Sequence, residues 1–201
     1  MNYQKELEKI LDTLDKINKP KLLLHACCGP CSSYVVEYLS KYFDITIYYY
    51  NPNIYPKEEY ERRLDELKKF VNVFNNSVKV IEELYKEDDY NNAVNGLEHL
   101  GEKSIRCYKC YEFRMNKAAI YAKENNYDYF TTTLSISPHK NSMWINEIGE
   151  KLQNKCNIKY LFADFKKKEG YKRSLELSKK YNLYRQDYCG CKYSKKERLG
   201  E

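Results

Sequence analysis

Five short runs of apolar and β-branched residues recur along the chain, at 21–26, 45–50, 77–81, 127–134 and 158–165. Each is bounded by polar or turn-forming residues, and each is expected as a strand. The segments between them carry helical period instead. From Tyr3 to Ile17, the residues Leu7, Ile10, Leu11, Leu14 and Ile17 share one face; from Pro56 to Phe74, Leu64, Leu67, Val71 and Phe74 do. A third helical pattern runs from Cys107 to Asn126. Strand and helix therefore alternate, which predicts right-handed crossovers and an α/β fold: a mainly parallel sheet with helices on both faces. No internal repeat or linker interrupts residues 1–201, which are expected to form a single domain.

In open parallel sheets, ligands bind beyond the carboxyl ends of the strands, so chemistry is expected in the residues that follow each run. After the first comes His25-Ala26-Cys27-Cys28-Gly29-Pro30-Cys31, and after the second Asn51-Pro52-Asn53. After the fourth comes Ser135-Ile136-Ser137-Pro138-His139-Lys140-Asn141, and after the fifth Lys166-Lys167-Lys168. All four are expected along one edge of the sheet.

Composition narrows the class. With 201 residues, 42% of them apolar and 15% aromatic, the chain can bury one real core, and disordered or collagen-like architectures are excluded. Met1 to Lys21 holds no apolar core of a secretory signal, and no run approaches the ~20 apolar residues that span a bilayer, so a cytoplasmic protein with no membrane partner is expected. Eight cysteines in such a chain read as reduced thiols for metal rather than as a disulfide framework.

Seven of them fall into three clusters: Cys27, Cys28 and Cys31; Cys107 and Cys110; Cys189 and Cys191. Cys156 stands alone and is read as a small packing residue. One zinc or one cubane cluster takes at most four protein thiolates, so seven exceed one centre. Adjacent Cys27 and Cys28, if extended, project to opposite sides, which suits two neighbouring centres. The expectation is an iron–sulfur cluster with a second metal beside it; the plainer alternative is one structural zinc with spare thiols.

Polar candidates surround these clusters. Ser135, Ser137, His139 and Lys140 could bind a phosphate or a sugar hydroxyl, and Arg106 and Arg114 flank the Cys107/Cys110 pair as expected phosphate contacts. Tyr108, Tyr111, Tyr188 and Tyr193 lie near motif cysteines and could stack on a base or donate a proton. His25 is expected to be a hydrogen-bond partner of a ligand or a packed strand residue rather than a ligand, and His99 has no assigned role. The net charge of +6 is concentrated in a basic, Cys-containing C-terminal segment, 166–201, which carries +7 against −1 for the rest. Lys166, Lys167 and Lys168 head that segment and are expected to meet a polyanion.

The motifs His-Ala-Cys-Cys-Gly-Pro-Cys at 25–31, Arg-Cys-Tyr-Lys-Cys-Tyr-Glu-Phe-Arg at 106–114, Thr-Thr-Thr-Leu-Ser-Ile-Ser-Pro-His-Lys-Asn at 131–141 and Tyr-Cys-Gly-Cys-Lys-Tyr-Ser at 188–194 make the sequence resemble QueH-type epoxyqueuosine reductases. The resemblance covers nearly the whole chain. It implies a fold related to the adenine nucleotide α-hydrolase (HUP-like) group, a 4Fe-4S cluster with an adjacent metal, expected to be iron, and no cobalamin. It also implies two-electron removal of the epoxide oxygen of epoxyqueuosine at the wobble position of tRNA, with tRNA and an external electron donor as partners to a monomer. Under that reading the seven clustered cysteines hold the metals, and Cys31, His139 and Tyr188 act at the reacting centre. The Ser-Gly-Gly-x-Asp-Ser loop of ATP-using members of the wider group is absent after the first strand, so nucleotide activation is not expected. Two other functions fit part of the pattern: a Cys-Cys-Gly iron–sulfur enzyme acting on a disulfide, and a zinc-containing RNA-binding module.

Overall fold

A computed structural model describes residues 2–200. Its sheet consists of β1 (Lys21–His25), β2 (Asp44–Tyr49), β3 (Lys79–Glu82), β4 (Tyr129–Thr132) and β5 (Lys159–Tyr160), all parallel, in the order β3-β2-β1-β4-β5. The helices are α1 (Tyr3–Asp12), α2 (Gly29–Leu39), α3 (Lys57–Phe74), α4 (Glu87–Ala93), α5 (Ile105–Glu124), α6 (Ser142–Cys156), α7 (Gly170–Lys180) and α8 (Lys192–Leu199). A 3₁₀ turn, Thr133–Ile136, follows β4.

Strand alternation divides the core in two. Leu22 and Leu24 of β1 and Ile45, Ile47 and Tyr49 of β2 face one side, where α1, α2 and α3 supply Leu7, Leu11, Val35, Val36, Leu64, Leu67 and Phe70. Leu23, Tyr48 and Phe130 face the other, against Met115, Ala118, Ala119 and Ala122 of α5 and Ile145, Ile148 and Leu152 of α6. Both faces are covered, as a parallel sheet requires. Chain order reverses at β1, whose neighbours β2 and β4 are reached in opposite directions, so the crevice beyond the carboxyl ends of β1 and β4 is the switch point where such sheets bind ligands.

Three elements depart furthest from the expected bounds, each for a local reason; the others shift by one or two residues. α1 stops at Asp12 because the Asp15 carboxylate accepts from the Ile17 amide at 2.7 Å and turns the chain away, leaving Ile17 90% exposed. The expected strand 127–134 gives way to the 3₁₀ turn where the Thr132 hydroxyl accepts from the Leu134 amide at 3.2 Å. The expected strand 158–165 forms its ladder only at Lys159–Tyr160; beyond it the side chain of Asn146 takes over, accepting from the Ala163 amide at 3.0 Å and donating to the Ala163 carbonyl at 2.9 Å.

Candidate metal centre

β1 delivers the first cysteine cluster to the switch point. Cys28 caps α2 from an extended backbone, its Sγ accepting from the Cys31 amide at 3.4 Å, and Pro30 in the first turn enforces the helical start. The turn folds Cys31 back over the two cysteines before it. The sulfurs of Cys27, Cys28 and Cys31 all lie within 4.8 Å of one another, and Cys27 and Cys28 are 4.0 Å apart. This corrects the expectation that Cys27 and Cys28 project to opposite sides: alternation holds within a strand, and here the strand has already ended. Burial and the positive end of the α2 dipole act in opposite directions on these thiols. Cys27 is held well below the usual thiol value by hydrogen bonds shared with Cys28 and Cys31, with Lys140 and Arg114 helping, whereas burial pushes Cys28 up to about 12.

The other four clustered cysteines gather on the far side of the same crevice. Cys107 and Cys110 occupy the first two turns of α5, and Cys191 caps α8 with its Sγ accepting from the Ser194 amide at 3.4 Å. Cys110 and Cys191 pack together with Tyr90 and Val94. Burial, then the neighbouring Cys189, pushes the Cys107 thiol up, and burial pushes Cys110 up to about 12. Cys31, Cys107 and Cys189 line one cavity of about 430 Å³, so the two groups of sulfurs share a chamber. Cys156 is half-buried at the end of α6, away from both.

Three buried or half-buried cations balance these sulfurs. Arg114 donates to the Cys110 carbonyl and to Asn51 Oδ1, both at 3.2 Å, and Asn51 donates on to the Ala26 carbonyl at 2.8 Å, tying α5 to the loop that carries Cys27. Burial pulls the Lys140 pKa down, but the neighbouring sulfurs of Cys189, Cys27 and Cys31 push it up by more, so it stays protonated. Arg63 of α3, only 1% exposed, pairs with Glu59 at 2.7 Å and donates to the carbonyls of Cys189 at 3.2 Å and Tyr188 at 3.5 Å. Nothing in the sequence pattern singles out Arg63, which reads there as one charge on a charged helix face.

Gly190 makes that contact possible. Its φ is +135°, a region that side chains rarely enter, and a Cβ there would stand 3.0 Å from Arg63 Nη1 and 3.3 Å from Ile54 Cγ1. Gly190→Ala is expected to lower stability by about 1–3 kcal/mol and to reduce metal uptake, read as melting temperature and metal per chain. A variant that matches the parent in both would show that the Cys-x-Cys turn tolerates displacement.

Family comparison fits this geometry. The family model described as "Epoxyqueuosine reductase QueH" matches residues 22–197, which span all seven clustered cysteines. The chain belongs to the QueH family. Proteins named epoxyqueuosine reductase QueH from Staphylococcus epidermidis and Streptococcus pyogenes are 46% and 43% identical to it, over 96% and 98% of this chain and 84% and 79% of theirs. The relative of the same name from Thermotoga maritima is 36% identical over 88% of this chain and 91% of its own.

Within this QueH chain the remaining expected site residues divide. Ser137, His139, Lys140 and Tyr188 line the cavity with the buried Tyr111. The Tyr188 hydroxyl donates to the Tyr55 carbonyl at 2.6 Å, which fixes the ring. Arg106 and Arg114, expected as phosphate contacts, are each 2% exposed and committed to protein partners; Arg106 donates to the Glu98 carbonyl and Glu197 and covers the Tyr193 ring. Ser135 is buried and its Oγ accepts from the Phe165 amide. Tyr108 faces Glu147, Lys151 and Trp144 on the outer side of α5. His25 is fully buried between the Thr132 hydroxyl and the Tyr50 carbonyl; burial, then Arg114, holds its pKa down to about 4, so it is a neutral packing residue. Lys166, Lys167 and Lys168 do not line the cavity. Lys166 pairs with Asp164 at 2.8 Å, Lys168 with Glu8, and Lys167 and Lys168 line a separate hollow beside α1. Among the described residues, no helix is long and apolar enough to cross a membrane.

Proposed function

We propose that this chain reduces epoxyqueuosine at the wobble position of tRNA to queuosine, with Cys107, Cys110, Cys189 and Cys191 holding a 4Fe-4S cluster and Cys27, Cys28 and Cys31 holding a second iron. The observation that carries this reading is the division of seven thiolates into a tight three and a looser four around one chamber. Three sulfurs within 4.8 Å suit a single ion with one position left open. Four thiolates on the corners of a cube stand farther apart than four on one ion, and among the described residues no three of the second group meet that tightly. A lone structural zinc accounts for neither group beside the other.

Net removal of the oxygen consumes two electrons and two protons, breaks both C–O bonds of the epoxide and releases water and an alkene. The bound metals supply the electrons, passed on from an external donor, and a Lewis acid for the departing oxygen. The chain's residues hold the base and govern its protons. Tyr111 and Tyr188 offer rings for stacking, and the Ser137 hydroxyl, whose oxygen accepts from the His139 amide at 3.3 Å, keeps its own proton for a substrate oxygen. Lys140 remains a fixed positive charge. The His139 ring, exposed at the mouth, is the group placed to relay protons from solvent. An anticodon base is already unpaired, so little unstacking energy opposes its entry.

Lys103, Arg185 and Arg198 are exposed at the cavity mouth and form no ion pair among the described residues, although Glu102 and Asp187 stand in the same wall. They are better placed for anticodon phosphates than the paired lysines 166–168. Changing Lys103, Arg185 and Arg198 to Gln is expected to flatten the log–log salt dependence of tRNA binding by about 0.7 for each phosphate that is no longer neutralised. The Lys166, Lys167 and Lys168 to Gln variant is expected to change the slope little; the reverse ranking would move the tRNA surface to that run.

The decisive experiment is mass spectrometry of nucleosides from epoxyqueuosine-containing tRNA incubated with iron-loaded, reduced protein. Queuosine is the expected product. Unchanged epoxyqueuosine, with a disulfide reduced instead, would assign the chain to the disulfide-reducing class.

A further inference from the structure

The segment between α7 and α8 carries Cys189 and Cys191, yet one of its side chains reaches the other group of sulfurs. Arg185 and Asp187 are exposed, and Gln186 between them turns inward, its Nε2 donating to Cys28 Sγ at 3.4 Å. Its Oε1 is buried and accepts no hydrogen bond. Within the protein, the hydrogen-bond partner of this carboxamide is therefore the sulfur, at the wall of the shared cavity. Once ligated to a metal, the Cys28 sulfur is a thiolate and only accepts, which requires the amide nitrogen at the end that faces it.

We infer that Gln186 is a positioning residue for the metal held by Cys27, Cys28 and Cys31, donating a hydrogen bond to the Cys28 thiolate that orients the ligand and tunes the ion. The inference rests on the three-thiolate metal site proposed above. A hydrogen bond to a ligating sulfur draws charge from it and stabilises the more negative, reduced state, so the donor raises the reduction potential of the ion. Gln186 also lies three residues before Cys189, so a single short segment ligates one centre and donates to a ligand of the other. Docking of that segment then sets both centres at once.

The test uses the full chain reconstituted with iron and sulfide under anaerobic conditions, comparing the parent with Gln186→Leu and Gln186→Glu. Leu removes the donor at similar size; Glu replaces it with an acceptor that repels the thiolate. Competition for Fe²⁺ against a chelator should show the fifth iron bound about 10-fold more weakly in the Leu variant and more weakly still in the Glu variant. The potential of that iron should fall in the Leu variant, while the absorbance of the four-iron cluster stays as in the parent. An unchanged affinity and potential in Gln186→Leu overturns the assignment. A Leu variant that loses the four-iron absorbance as well overturns it too, since Gln186 would then serve to fold the segment. If the parent itself takes up only four irons, the three-thiolate site falls and the inference with it, an outcome that Cys28→Ala, then indistinguishable from the parent in iron content, identifies separately.

Discussion

Arg63→Met is expected to lower stability by about 3–5 kcal/mol and to abolish assembly of the four-iron cluster, although Arg63 touches no metal. Its guanidinium is buried and serves Glu59 and two carbonyls of the Tyr188–Cys189 turn at once. Methionine fills similar volume but leaves the Glu59 carboxylate, only 10% exposed, without its cation, and the cost of an uncompensated buried charge dominates. Arg63→Lys should recover part of the stability and little of the cluster, because a compact ammonium cannot serve three acceptors spread as a planar fork requires. The neighbouring Arg62→Met provides the control. Arg62 is exposed and lies 3.4 Å over the Tyr184 ring, an interaction of about 1 kcal/mol. Thermal unfolding of the metal-free chains and cluster absorbance of the reconstituted ones read the two effects; equal losses at 62 and 63 would refute the tethering role.

Single replacement of any of the seven clustered cysteines by Ala is expected to abolish epoxide reduction, but with two distinct spectroscopic outcomes. Changes at Cys27, Cys28 or Cys31 should leave the four-iron absorbance and remove the additional iron. Changes at Cys107, Cys110, Cys189 or Cys191 should remove the absorbance itself, because in the proposed assignment each supplies one corner of the cluster. Cys156→Ala should keep both metals and full turnover, at a cost of no more than about 1 kcal/mol. Iron per chain, absorbance and nucleoside analysis on the same preparations check all eight variants. Loss of absorbance in Cys27→Ala with retention in Cys189→Ala would invert the assignment.

The two kinds of prediction differ in how far the sequence foreshadows them. The cysteine clusters are legible because ligand spacing is covalent: Cys-x-x-Cys and Cys-x-Cys hold their sulfurs near one another in whatever fold surrounds them. The α/β architecture is legible for a similar reason, since a strand buried on both faces must be apolar along its length, as Leu22 to Leu24 are. The strand order and the reversal at β1 are not, because they depend on which edges pair across more than a hundred residues. Arg63 is hidden by its own surroundings. In Glu-Glu-Tyr-Glu-Arg-Arg-Leu, Arg63 and Glu59 form an i, i+4 pair that looks solvated, and only the docking of the C-terminal segment buries it. Gln186 is hidden likewise in a polar stretch. The lysines at 166–168 mislead in the opposite sense: their charge is plain in the sequence, while Asp164 and Glu8, which neutralise two of them, meet them only in three dimensions.

Cys28 and Cys191 each cap a helix with the sulfur that is also a candidate ligand. The same atom thus has two employments, and only one of them needs iron. When the metal leaves, each sulfur still satisfies an amide that would otherwise face the crevice unpaired, so α2 and α8 keep their first turns. The starts of α2 and α8 therefore do not wait for an ion, unlike small zinc domains whose chain collapses without it.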